Sequence, residues 1–177
     1  IECAGRKGIF PEPEHDPVIQ IANYVIRQGE TEPFIKVIFC LKEVLPIVDV
    51  DVRCFENEKK MLNAWANFVR CCDPDIITGY NIQNFDIAYL IDRSKVLKSS
   101  TFSFLGRMRK IQTKVRKMVL QSKQMGKREN KQINIEGRVQ FDLLLAIVRD
   151  YKLRSYTLNA VSYNFLNEQK EDVHHSI

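Results

Sequence analysis

The 177-residue sequence predicts an α/β domain in which a mixed sheet is flanked by helices. Two runs rich in β-formers, VIQIANYVI at 18–26 and FIKVIFCL at 34–41, are separated by the polar, turn-forming RQGETEP, which predicts a hairpin. From residue 56 the apolar residues change to helical spacing, and beyond it short apolar runs alternate with helical ones. The length fits a single domain with a sizeable core, so 1–177 reads as one domain.

The elements follow in order. Residues 1–3 read as the end of a strand, and PEPEHDP at 11–17 as a turn-rich connection in which proline excludes regular pairing. Met61, Trp65, Phe68 and Cys72, with Leu62 and Val69 beside them, predict a helix over 56–72 that stops before Asp73-Pro74. DIITGY at 75–80 predicts a short buried strand. Ile87, Leu90, Ile91, Ser94 and Leu97 then mark a helix with one apolar face. A tract over 107–131 lacks regular apolar periodicity and reads as a loop insertion. A strand at 133–140 leads into the helix DLLLAIVRDYKL, with Asp142 as its N-cap, and Thr157 caps a last helix.

Composition narrows the class. Hydrophobic residues make up 45% and charged residues 28%, an ordinary globular balance. No run has the length of a membrane span, and no charged-then-apolar leader opens the chain, so no membrane partner is expected. The first residue is Ile, which reads as an excised piece of a longer polypeptide. Cys3, Cys40, Cys54, Cys71 and Cys72 contain no C-x-x-C pair and read as buried free thiols. His15, His174 and His175 fall at the wrong spacings for a zinc site.

Charge is unevenly placed. Of 27 Lys and Arg residues and 22 acids, ten basic residues and one acid, Glu129, fall between Arg107 and Lys131. Such a tract fits either a polyanion partner or a solvated loop. Two acids interrupt apolar segments where α/β sheets collect functional side chains: Glu2 at the end of the first strand and Asp86 after ITGYNIQNF. Read alone, Asp86 is a first-turn acid favoured by the helix dipole.

Taken together, these stretches resemble the exonuclease motifs of family B DNA polymerases. Asn81, Phe85 and Asp86 match Asn-x-x-x-Phe/Tyr-Asp, and IEC matches the tail of Phe-Asp-Ile-Glu, with Glu2 as the acid. The resemblance runs from end to end and is weakest over 108–135. It implies a ribonuclease H-like fold and a 3′→5′ proofreading nuclease. Its Glu2 and Asp86 would be catalytic and would ligate two Mg²⁺ or Mn²⁺ ions, while Asn81 and Phe85 would contact the terminal nucleotide. Hard cations select carboxylate oxygens, which suits these residue types. Two metals can clamp both the attacking and the leaving oxygen of a phosphodiester. Lys114, Arg116 and Lys117 are the candidate DNA contacts in the basic tract. Tyr80 reads as packing or as lining the strand entry, and Arg138 and Arg154 as surface or structural.

The resemblance further implies DNA as partner, with the other domains of a polymerase chain, accessory replication subunits and a sliding clamp, in the nucleus. The family's Asp before residue 1 and its Tyr-x-x-x-Asp motif are not in this sequence. Tyr151, Tyr156 and Tyr163 are followed four residues later by Ser155, Ala160 and Asn167. The domain is therefore expected to be cut at both ends and the isolated fragment to be inactive. The alternative is a catalytically inert module that binds single-stranded DNA or other subunits. A requirement for divalent cation separates the two.

Overall fold

The computed structural model describes residues 1–122 and 126–171. His174 and His175 lie outside the described residues. Four strands, β1 (Glu2–Cys3), β2 (Val18–Val25), β3 (Ile35–Leu41) and β4 (Asp51–Phe55), form one sheet in chain order. β2 and β3 are antiparallel, with Ile21 opposite Phe39, so the expected hairpin forms. β4 runs parallel to β3 and was not expected. Its short polar/apolar alternation from Asp51 to Cys54 is the pattern of an outer strand solvated on one side.

Helix α1 (Glu58–Cys72) packs on this sheet. Asn57 caps it by accepting from the Lys60 N–H. Asp73 closes it in the left-handed conformation, the C-terminal break expected before Pro74. Met61, Leu62, Trp65, Ala66 and Val69 are buried on its inner face, and Phe39 stacks on Phe55 and against Phe68. Trp65 stacks on Phe102 and donates its indole N–H to Asn23, so its one polar atom is satisfied inside the core.

Beyond α1 the strands leave the main sheet. β5 (Ile76–Gly79) pairs in parallel with β8 (Val139–Asp142) as a separate two-stranded sheet. The strand expected to be buried is only half-covered, and Ile76 is 57% exposed. α2 (Asp86–Val96) follows the turn after β5 and buries Ile87, Leu90, Ile91 and Ser94 as its spacing predicted. The basic tract is irregular over 107–114, as expected, but from Val115 on it is not a loop. β6 (Val115–Ser122) and β7 (Gly126–Ile133) form an antiparallel hairpin with eight paired positions. Val115 and Ile133 at its base pack on the core; farther out, Lys, Arg and Gln dominate, which hid the strands from apolar periodicity.

The strand expected over 133–140 is divided. β7 ends at Ile133, Gly137 turns the chain at φ 80°, and β8 begins at Val139. α3 (Leu143–Asp150) is shorter than the helical run suggests, because the Tyr156 hydroxyl donates to the Tyr151 carbonyl and draws that residue into extended backbone. α4 (Leu158–Leu166) starts at Thr157, whose hydroxyl accepts from the Ala160 N–H. No residue of α3 is buried, and Val161 alone is buried on α4. The five thiols are free, but Cys54 and Cys71 are exposed and Cys40 alone is fully buried, so their expected common burial does not hold.

Candidate active site

The turn from β5 into α2 is shaped by the residues of GYNIQNFD. A Cβ on Gly79 would lie 2.5 Å from the Ile82 side chain, so only glycine lets Ile82 fold back onto the strand end. Asn81 then adopts φ 61°, the left-handed region that Asn tolerates better than most residues. Its carbonyl accepts from the Phe85 N–H at 3.1 Å, and its side-chain oxygen accepts from Asn84 at 3.3 Å. The Asp142 carboxylate, at the end of the neighbouring strand β8, accepts from the N–H groups of Asn81 (2.8 Å) and Gln83 (3.2 Å). It also caps α3 through the Leu144 N–H at 3.0 Å. The N-cap expectation therefore holds, and the same carboxylate fixes the turn that carries the candidate site.

Asp86 is the first residue of α2, where the dipole favours a negative charge, and its side chain is 22% exposed. Its Oδ1 accepts at 2.8 Å from the Ile1 nitrogen, which is the terminal ammonium of this chain, so this contact is an ion pair with a chain end. The start of α2 lies near β1, since Asp86 and Glu2 both act electrostatically on the Cys3 thiol. The Glu2 carboxylate pairs with Lys170 Nζ at 2.8 Å, with both side chains more than half exposed. Among the described residues, no group of three or more His, Cys, Asp or Glu side chains is placed to hold a metal ion. Glu2 and Asp86 offer oxygen donors of the right kind for a hard cation, but no third carboxylate joins them there.

Phe85 is half-buried. It packs against the core, meets Tyr89 at 5.6 Å and takes Phe10 edge-on at 5.3 Å. Tyr80 donates its hydroxyl to the Tyr156 carbonyl, which makes it an anchor for the segment after α3. Burial first, and then Asp142, push its phenol up. Arg138 is structural, as expected, donating to the Leu105 and Pro74 carbonyls and to Asp73. Burial also pushes the Cys3 thiol, next to Glu2, up to about 11, which leaves it protonated and unreactive.

The three candidate basic contacts do not share a surface. Lys114 and Arg116 line an open groove of about 550 Å³ with Lys110, Gln132, Asn134 and Glu136. Lys117, one residue on along β6, points to the opposite face of the hairpin. Sequence reasoning missed Lys170, Asn84 and the second role of Asp142. Asn84 stands inside the NIQNFD stretch, whereas Lys170 is one lysine among many and carries no local signal.

Residues 1–161 match the family described as "DNA polymerase family B, exonuclease domain", and the chain belongs to that family. Over all 177 residues it is 63% identical to the DNA polymerase delta catalytic subunit of Drosophila melanogaster. It is 60% identical to that of Oryza sativa subsp. japonica and 51% identical to that of Candida albicans. The match takes in the whole of this chain and 16%, 16% and 17% of those relatives, so the chain spans about a sixth of their length.

Proposed function

We propose that this chain is the 3′→5′ proofreading exonuclease domain of a delta-type replicative DNA polymerase catalytic subunit, ribonuclease H-like in arrangement. The observation that supports it best is the meeting of two sequence-distant carboxylate elements. Glu2 on β1 and Asp86 at the head of α2 both lie near enough to the Cys3 thiol to act on it electrostatically.

In this reading Glu2 and Asp86 hold divalent metal, Mg²⁺ or Mn²⁺, with the remaining ligands coming from outside these residues. When bound, the metals activate water and stabilise the leaving oxyanion. The protein's own contribution is placement. Asp142 and Asn84 fix the 81–85 turn, so that Asn81 and the exposed edge of Phe85 receive the terminal nucleotide. Lys114 and Arg116 offer phosphate contacts on the hairpin groove, and Lys117 on its other face. Lys170 holds Glu2 by charge and would have to exchange that contact for a cation. The parent polypeptide would act in the nucleus with DNA, its own polymerase domains, accessory replication subunits and a sliding clamp.

The test uses a polypeptide of the relatives' length on single-stranded DNA. Asp86→Ala should lower EDTA-sensitive hydrolysis by several orders of magnitude, because a lost metal ligand costs several kcal/mol of transition-state stabilisation. Its thermal midpoint should stay close to that of the parent. Near-parental hydrolysis by the folded variant would overturn the assignment. DNA binding without any metal-dependent hydrolysis in the parent would favour the inert binding module instead.

A further inference from the structure

Two of the five free thiols stand in register. Cys40 on β3 is paired with Cys54 on β4, its parallel neighbour. Phe39 and Phe55 take the α1 face of the sheet, where they stack, so Cys40 and Cys54 share the opposite face. Hydrogen-bonded strands run about 4.8 Å apart. That spacing falls inside the roughly 4.4–6.8 Å that separates the Cα atoms of bridged cysteines. The two thiols act on each other: burial first, and then Cys54, push the Cys40 thiol up. They differ in access, since Cys40 is 0% exposed and Cys54 faces solvent. No other thiol has such a partner. Cys71 and Cys72 are successive residues of α1 and leave it about 100° apart, and Cys3 lies beside Tyr89, Glu2 and Asp86. β4 is the outer strand of its sheet, hydrogen-bonded on one side only, and such a strand opens before the rest. The connection 42–50 that leads to it holds Lys42 and Asp49 at φ 75° and 57° and leaves Leu45 and Val48 each 86% exposed. Just past Cys54 come the Asn57 cap and Glu58, which ties α1 to Val18 and Arg93.

We propose that Cys40 and Cys54 form a reversible disulfide, a redox-sensitive clasp that fixes the outer strand β4 to β3. It concerns the sheet edge and does not depend on the nuclease reading. The oxidant is a small-molecule disulfide of the glutathione class. The Cys54 thiolate attacks one sulfur of the oxidant; a mixed disulfide forms and one glutathione thiolate leaves. The Cys40 thiolate then attacks the Cys54 sulfur, and the second glutathione leaves. The two cysteines give up two electrons, which reduce the oxidant, and their two protons end on the two glutathione thiols. Access sets the order, because Cys54 alone of the pair is reached from solvent. Burial disfavours the Cys40 thiolate and makes the second step the slow one. An exposed disulfide is open to reduction, and disulfides in reducing compartments are transient and redox-sensing. The ring that the bond closes contains the 42–50 connection, so its effect falls on local opening of β4.

The experiment treats a reduced polypeptide of the relatives' length with oxidised glutathione under native conditions. Peptide mapping by mass spectrometry without reductant reads the linkage. A cross-linked pair of peptides carrying Cys40 and Cys54 is expected, and dithiothreitol should separate it. In Cys40→Ala the reaction should stop at glutathione on Cys54. In Cys54→Ser, a change at an exposed position that leaves the core intact, Cys40 should stay free. Cys71, exposed and without a registered partner, should take up glutathione and go no further, which makes it the internal comparison. Hydrogen exchange reads the consequence. Oxidation should slow exchange of the Asp51–Phe55 amides about tenfold or more and leave it unchanged in Cys54→Ser. Glutathione that remains on Cys54 while Cys40 stays free in the parent would overturn the proposal. So would a linkage that forms only in urea, because the native register would then not bring the thiols together. A native linkage with no slowing of exchange in β4 would overturn its role as a clasp.

Discussion

Three backbone N–H groups, those of Asn81, Gln83 and Leu144, converge on the Asp142 carboxylate, which is 5% exposed. Asp142→Ala removes the acceptor from all three at once and is expected to destabilise the fold by about 2–4 kcal/mol, measured by urea unfolding. Asp142→Asn should recover part of that loss, because its amide oxygen can still accept. A second residue-scale prediction concerns acid. Two bonds from Arg6 and one from the Glu12 N–H hold the Asp16 carboxyl below the usual range, with Arg6 the larger cause. An unfolded aspartate titrates near 3.9, so Asp16's stabilisation is complete above that pH and is lost as pH falls through the lower folded value. Arg6→Gln should therefore be less stable than the parent at neutral pH. The gap should close as the pH falls below about 3.9. Thermal unfolding as a function of pH reads both.

Between elements, the strongest tie among the described residues is the Glu58–Arg93 pair. Arg93 on α2 donates to both carboxylate oxygens of Glu58 on α1, at 2.9 and 2.7 Å, and each side chain is 9% exposed. Glu58 also accepts from the Val18 N–H at the start of β2, and Arg93 donates to the Pro13 carbonyl. One ion pair thus joins two helices, a strand and the connection that precedes it. Glu58→Gln leaves a buried guanidinium without its counter-charge and is expected to cost about 3–5 kcal/mol. Replacing both residues by methionine should cost much less, since neither charge is then left alone. Urea midpoints of the single and double variants distinguish the two cases.

At the scale of the whole molecule, two features point outward. Leu143, Leu145, Val148, Leu158, Tyr163, Phe165 and Leu166 on α3 and α4 are all exposed, a large apolar surface for a chain of this size. In isolation the chain should self-associate through it, and Leu145→Lys/Leu158→Lys should shift sedimentation toward monomer. The second feature is the ligand count. With two carboxylates at the candidate site, the chain alone should hydrolyse single-stranded DNA at least a hundredfold more slowly than a polypeptide of the relatives' length. Mg²⁺ dehydrates reluctantly and needs near-octahedral oxygen coordination. Equal, EDTA-sensitive rates in the two would show that Glu2 and Asp86 suffice.

The sequence by itself determined what is local or strongly periodic. The β2–β3 hairpin, α1 with its stop at Asp73-Pro74, the apolar face of α2 and the caps at Asp142 and Thr157 all follow from spacing and side-chain chemistry within a few residues. Glu2 and Asp86 stood out because each interrupts an apolar run. The tertiary structure alone decided what depends on contacts between distant segments. It put β5 in a separate sheet with β8 and made the basic tract a hairpin, because pairing between remote strands leaves no periodic trace in polar sequence. It turned Asp142 from a cap into the clamp of the site turn, and it placed Lys170 on Glu2, 168 residues away. It also divided Lys117 from Lys114 and Arg116, since successive side chains on a strand leave by opposite faces, a separation visible only once the strand is known.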